Sequence, residues 1–223
     1  MSIRLALAAL ATVLVAPLPA LACSPAPGYR VPTNIELTAE ADLILLARVE
    51  DGTPPGDDFQ AMHVSIRPIA ALKGDIADAP TMLPIGLASG EWAVPSNPYE
   101  LQHAHPVAYM GGCFRYMVPR GSRLLFFLAR RDGQWGPAGG PFSRWAEDVL
   151  TDDAPWLRAV RFYLDVQALP ESRRADALAE RRDALRSHTG DPVAQLLADD
   201  IDRQLAGPNE PLRAELPPAP ENE

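Results

Sequence analysis

The chain contains two cysteines, and one of them, Cys23, directly follows Ala20-Leu21-Ala22 at the end of an apolar N-terminal run. Arg4 supplies a positive start, Leu5 to Val15 an apolar stretch, Pro17 and Pro19 a helix break, and Ala20 and Ala22 small residues at a cleavage site. These are the parts of a secretory signal, so residues 1–22 read as a leader and Cys23 as the first residue of the exported protein. The apolar run falls short of the ~20 residues that a spanning helix needs. Thiols pair in exported, oxidising compartments. An even cysteine count therefore points to a Cys23–Cys113 disulfide that pins the new N-terminus to the middle of the fold. The alternative is a lipoprotein anchored through Cys23. Its leader pattern places Leu where Ala20 stands and a small residue where Leu21 stands, and lipidation would leave Cys113 alone.

A formal net charge of −9 over 223 residues argues against nucleic acid, which needs a basic face, and against anionic membrane surfaces. The length suits one domain and an appendage. Asp42 to Glu50 is an apolar run that reads as a buried strand. Met62, Val64 and Ile66 alternate with His63, Ser65 and Arg67, the period of a half-exposed strand. Thr81 to Leu87 is a third apolar run, demoted to an edge or bulged strand by Pro84. Ser122 to Ala129 is the strongest strand pattern, and a short strand follows at 134–138. Between the third run and Ser122, Ala88 to Gly112 is a long loop ending at Cys113, and loops of that length are uncommon unless functional or tethered.

Four segments read as helices. Thr33 or Asn34 can cap a short helix reaching about Ala41. From Asp152 the period becomes 3.6: Trp156, Ala159, Val160, Tyr163, Leu164 and Gln167 share one face, with Asp152 or Asp153 as cap and Pro155 in the first turn. A highly charged helix spans about Glu171 to His188. Another begins at Asp191-Pro192, with Val193, Leu196, Leu197, Ile201 and Leu205 as its apolar stripe. Residues 23–150 thus read as a mainly β domain of about five strands, 151–206 as a helical appendage, and 207–223 as a disordered tail with little to bury.

Four stretches together resemble a known family. They are Cys23-Ser24-Pro25, Ala41 to Val49, Pro68-Ile-Ala-Ala-Leu-Lys-Gly74, and Cys113 followed by Gly121 to Leu128. They are similar to the N-terminal domain of tissue inhibitors of metalloproteinases and to the wider netrin-like group, including bacterial secreted members. The resemblance covers about residues 23–138. It implies a five-stranded OB-fold barrel and the Cys23–Cys113 bridge. It also implies a metalloprotease inhibitor in which the α-amine and carbonyl of Cys23 chelate a protease zinc while Ser24 enters the specificity pocket. Here Pro25 stands where the inhibitors carry a second cysteine.

The residues suggest further chemistry. His103-x-His105 in the long loop could hold a metal together with Glu100 or Cys113, which would make the chain a periplasmic metal-binding protein or metal-dependent enzyme. Trp92, Tyr99, Tyr109, Phe114 and Tyr116 crowd the loop and its exit, either as a recognition surface or as the loop's own core. Trp145, Trp156, Phe162 and Tyr163 are expected to glue the helices to the barrel. Glu147-Asp148 and Asp152-Asp153 read as helix-start acids. Neither Gly-x-Ser-x-Gly nor His-Glu-x-x-His occurs. The expectation is therefore an exported, secreted or periplasmic, non-enzymatic protein-binding module without a cofactor. Its partner is another protein, a zinc protease in one version, bound through Cys23, Ser24, Pro25, Trp92, Tyr99 and Tyr109.

Overall fold

The computed structural model describes residues 24–56 and 61–214; the leader, Cys23 and the end of the tail lie outside the described residues. A short helix, α1 (Asn34–Glu40), opens the fold. Thr33 caps it as expected: its hydroxyl accepts from the Glu36 N–H while the Glu36 carboxylate accepts from the Thr33 N–H, a reciprocal capping box.

Two long strands form the centre, β1 (Leu43–Gly52) and β6 (Arg123–Arg131). They pair antiparallel from Leu43 opposite Leu128 to Arg48 opposite Arg123. Both are apolar runs because both faces are covered: Leu43 to Ala47 and Leu124 to Leu128 are all buried. On the other edge of β1 lies β2 (Val64–Lys73), which also pairs with the two-residue β3 (Met82–Leu83). The expected alternation holds at the start of β2, where Val64 and Ile66 are buried and Arg67 is exposed. Pro68 sits within β2, where β3 no longer pairs with it, an edge position that tolerates a missing N–H. Pro84 does break the third run, separating β3 from β4 (Gly86–Ala88).

The sheet runs β3-β2-β1-β6-β7, with β7 at Gln134–Pro137. One further strand, β8 (Ala146–Asp148), takes the same edge of β6 as β7, opposite Leu124 to Phe126. A separate parallel pair joins β4 to β5 (Met117–Pro119). This is a mixed sheet-plus-helix architecture whose main sheet is open. The closed five-stranded barrel is corrected accordingly: no ladder among the described residues joins β3 to β7 or β8. Strands of two or three residues, β5 and β8 among them, replace the single long strand that closure would require.

Three helices follow, α2 (Pro155–Gln167), α3 (Glu171–Arg186) and α4 (Pro192–Leu205). Their starts differ from expectation in one respect. Pro155 opens α2, but its cap is Ala154, without a side-chain hydrogen bond, and Asp152 instead pairs with Arg123. Asp191 caps α4 as expected. One hydrophobic core runs from the sheet into the helices, with Phe127 against Trp156 at 5.5 Å and Phe126 against Trp145 at 5.8 Å. The predicted stripe of α2 faces this core. Residues 207–214 lie against the lead-in: Gly28 N–H donates to the Arg213 carbonyl, Leu212 N–H to that of Tyr29, and Asn209 Nδ2 to that of Val31. The rest of the predicted disordered tail falls outside the described residues.

Candidate functional site

A buried polar cluster anchors the long loop between β4 and β5 to β8. Ser96 is the pivot. Its N–H donates to Asp148 Oδ2 at 2.9 Å and its hydroxyl to Glu147 Oε2 at 2.5 Å, while Asp148 N–H donates back to Ser96 Oγ at 3.0 Å. Arg115 closes the set. Its Nη1 donates to Ser96 Oγ and to the Ala146 carbonyl, both at 3.1 Å. Its Nη2 stands 2.8 Å from Asp148 Oδ2, an ion pair. The side chains of Arg115 and Asp148 are 2% and 1% exposed, so this pair is desolvated and held by its hydrogen bonds.

The cluster exists because β8 adds to the edge of β6, which drives Glu147 and Asp148 inward. The expectation that these acids flank a helix start is therefore corrected: they are strand residues, 51 and 52 positions from the serine they bind. Arg144 lies next to them. Its guanidinium sits 4.4 Å from the centre of the Trp156 ring, a cation–π contact, and its Nε is 3.8 Å from Glu147 Oε1. Nε and Nη1 of Arg144, Nε1 of Trp156 and Oδ1 of Asp148 are buried without a hydrogen-bond partner.

His105 belongs to this cluster and not to a metal site. Its N–H donates to Glu147 Oε1. Its ring is occupied at both ends: Nε2 donates to the Val94 carbonyl at 2.9 Å, and Nδ1 accepts from Val107 N–H at 3.2 Å. Burial, then the nearby Arg115 charge, holds His105 below the ordinary imidazole value. The backbone N–H groups of His103 and Gln102 donate to Glu100 Oε1. Burial would raise Glu100, but those two N–H groups outweigh it and hold the carboxyl below its usual range. Among the described residues no three His, Cys, Asp or Glu side chains are grouped to hold a metal. His103 and His105 share the wall of an open cleft of about 350 Å3 with Glu100, Tyr109 and Glu147, without forming a donor set.

The aromatics divide. Trp92, Tyr99 and Tyr109 face solvent, as do Val94 and Met110 beside them. Phe114 packs against the main core, and Tyr116 against a small cluster of Ala88, Val107 and Met117. Five of the eleven large exposed hydrophobic side chains among the described residues thus lie in this one loop.

The N-terminal end approaches the same region. Tyr29 Oη donates to the Pro141 carbonyl at 2.6 Å, and burial, then Glu40, pushes its hydroxyl up to about 12. One residue on, Phe142 N–H donates to the Cys113 carbonyl at 2.6 Å, and Phe142 stacks on Tyr109 at 5.1 Å. Cys113 and Phe142 both adopt left-handed backbone, φ 58°, a conformation that costs about 1–2 kcal/mol per non-glycine residue and persists only where packing enforces it. Cys113 is not free. Ser24 is exposed and Pro25 half-buried, while Cys23 lies outside the described residues.

No protein-family model matches this chain, and no curated protein sequence matches it. Among the described residues no helix is long and apolar enough to cross a membrane.

Proposed function

We propose that the chain is an exported, non-enzymatic protein-binding module whose recognition surface is the 92–110 loop, flanked by the mature N-terminus. The observation that carries this reading is the combination of an exposed apolar crown with a buried ionic base. Trp92, Val94, Tyr99, Tyr109 and Met110 are exposed on a loop whose floor is fixed by Ser96, Arg115, Glu147 and Asp148. Such a surface loses little side-chain or loop entropy on binding, which favours recognition.

The proposal includes the Cys23–Cys113 bridge. What supports it is the lead-in, which reaches the 139–142 turn through Tyr29 while Cys113 bonds to the same turn through Phe142. Cys23 stands six residues before Tyr29, a reach of at most about 20 Å. The finer relation, to the netrin-like group, is supported by one link between the small sheet and the main one: Leu87 N–H donates to the Thr53 carbonyl just past β1. In its sharpest form the partner is a zinc protease that takes the Cys23 amine and carbonyl as ligands.

The test is capture of partners from the exported proteins of the source cells by the full chain and by its Trp92→Ser/Met110→Ser variant. A discrete partner held by the first and lost from the second is expected. No partner, or the same partners on both, overturns the proposal. Inhibition of a metalloprotease that vanishes on N-terminal acetylation checks the sharper form.

A further inference from the structure

We propose that His105 is an acid-sensitive latch on the exposed loop. Its neutral ring ties the arm that carries Trp92 and Val94 to the arm that carries Tyr109 and Met110, and protonation unties them. This adds regulation to the recognition surface proposed above. It rests on that reading only for its consequence, the loss of grip on a partner in acid.

The ring is where the two arms cross. Nε2 faces the Val94 carbonyl at 2.9 Å, and Nδ1 faces the Val107 N–H at 3.2 Å. The second bond also caps the short helical turn Pro106–Tyr109, whose first N–H groups have no acceptor within the turn. A backbone carbonyl only accepts and a backbone N–H only donates, so this geometry requires the neutral ring with its hydrogen on Nε2. The His105 backbone is fixed separately, by its N–H on Glu147 Oε1 at 3.1 Å. On the first arm, Trp92 and Ala93 N–H bond only locally, to the Ser89 and Gly90 carbonyls. Ala93 and Val107 share the small apolar cluster beneath, so the imidazole is the polar link between two arms that otherwise meet through apolar contact.

Protonation inverts one of these contacts. A proton on Nδ1 would point at the Val107 N–H, donor against donor, and the turn would lose its cap. The groups around the ring do not offer the new charge a free counter-ion. On β8, Glu147 already accepts from Ser96 Oγ and from His105 N–H, with Arg144 at 3.8 Å, and Asp148 pairs with Arg115. On the loop, Glu100 is taken by the N–H groups of Gln102 and His103. His103 and Tyr109 are the other titratable groups of the loop that line the same cleft. Burial and the Arg115 charge oppose the charged ring more than Glu147 and Asp148 favour it. The closed loop therefore holds a proton less well than an open one, and falling pH shifts the population toward the open form. The stabilisation is present above the ordinary value of 6.5 and is lost as pH falls below it. The ring is 4% exposed but lines an open cleft of about 350 Å3, so solvent stands close by.

The experiment is nuclear magnetic resonance of the full chain from about pH 7.5 down to about pH 5, within the range where histidines titrate. It follows the His105 ring nitrogens and the Val107 amide exchange rate, divided by the intrinsic rate at each pH. The ring should titrate below 6.5, and Val107 protection should fall about tenfold or more in step with it. His105→Gln offers a donor and an acceptor but no titration, and should keep Val107 protected throughout. His103→Gln should leave the transition where it was. A Val107 amide unchanged through the ring's titration, a ring that titrates at or above 6.5, or a transition that persists in His105→Gln overturns the latch. The first two outcomes are read on the unaltered chain, so they hold even where a variant fails to fold. None of these measurements needs a partner, so the latch and the recognition surface fail separately. Where a partner is captured, release at about pH 5 by the full chain but not by His105→Gln is the expected consequence, and equal retention across the range overturns the gating.

Discussion

The polar cluster beneath the long loop and the one between α1 and α4 are both almost closed to water, yet they are finished differently. Between the helices, Asp200 accepts from Asn34 Nδ2 at 2.8 Å, from Tyr163 Oη at 2.5 Å and from Arg203 at 2.9 Å. Gln204 ties the same carboxylate to the backbone of Ile35, and Asn34 also donates to the Leu101 carbonyl. None of these side chains has an orphaned polar atom, and the neighbouring cavities measure about 20 Å3. The loop cluster, in contrast, leaves atoms of Arg115, Arg144, Trp156 and Asp148 unpaired beside far larger clefts. A completed network fastens elements together. The loop network is left incomplete and lies near open clefts and exposed aromatics.

The largest expected effect tests how dry the loop cluster is. Asp148→Ala strands the Arg115 guanidinium and should cost about 3–5 kcal/mol in urea unfolding, while the Arg115→Met/Asp148→Leu pair should recover most of that loss. A single-variant loss below about 1 kcal/mol would make it equivalent to a surface pair and remove the contrast. Next comes the helix junction: Tyr163→Phe deletes one donor to a buried carboxylate and should cost about 1–3 kcal/mol, read in the same assay.

The two clusters should also respond to pH with opposite sign. His105 is held below its ordinary 6.5 by burial and then by Arg115. The fold thus binds fewer protons there than the unfolded chain, and that stability is present above about pH 6.5 and lost as pH falls. Asp200 is raised above 3.8 by burial, against the pull of its hydrogen bonds. Its contribution is present below the ordinary carboxylate value and is lost as pH rises toward the raised one. Hydrogen exchange should therefore show the amides of 94–110 loosening below pH 6.5, an effect that His105→Gln abolishes, while the α1–α4 contact does not loosen in that range. Parallel behaviour of the two regions would contradict their separation. The smallest change is expected at the crown, where Trp92→Ser should alter stability by no more than about 0.5 kcal/mol while removing partner capture.

Some of this was readable in advance. Continuous apolar runs marked β1 and β6 because both faces of those strands are covered. The period of 3.6 marked α2 and α4, Thr33 and Asp191 marked two helix starts, and Pro84 marked the third run as an edge or bulged strand, which the structure divides into β3 and β4. The misses share a cause. Strands β5 and β8 have three residues each, too few for any period to register, and they exist only because a neighbouring edge offers hydrogen bonds. The same holds for the candidate site. The aromatics of the loop were visible as a group, but Ser96, Arg115, Glu147 and Asp148 carried no local pattern that links them, and His105 showed its metal-binding chemistry without showing that the backbone takes both ring nitrogens.

Local physics therefore specified the periodic elements, their caps and the loop that carries the exposed rings, because propensity and periodicity act between near neighbours in the chain. Which acids go inward depended on contacts between residues 19 to 52 positions apart, and which histidine is spent on one between residues 11 apart. Such contacts become favourable only after the sheet has formed, when desolvation makes every polar partner count.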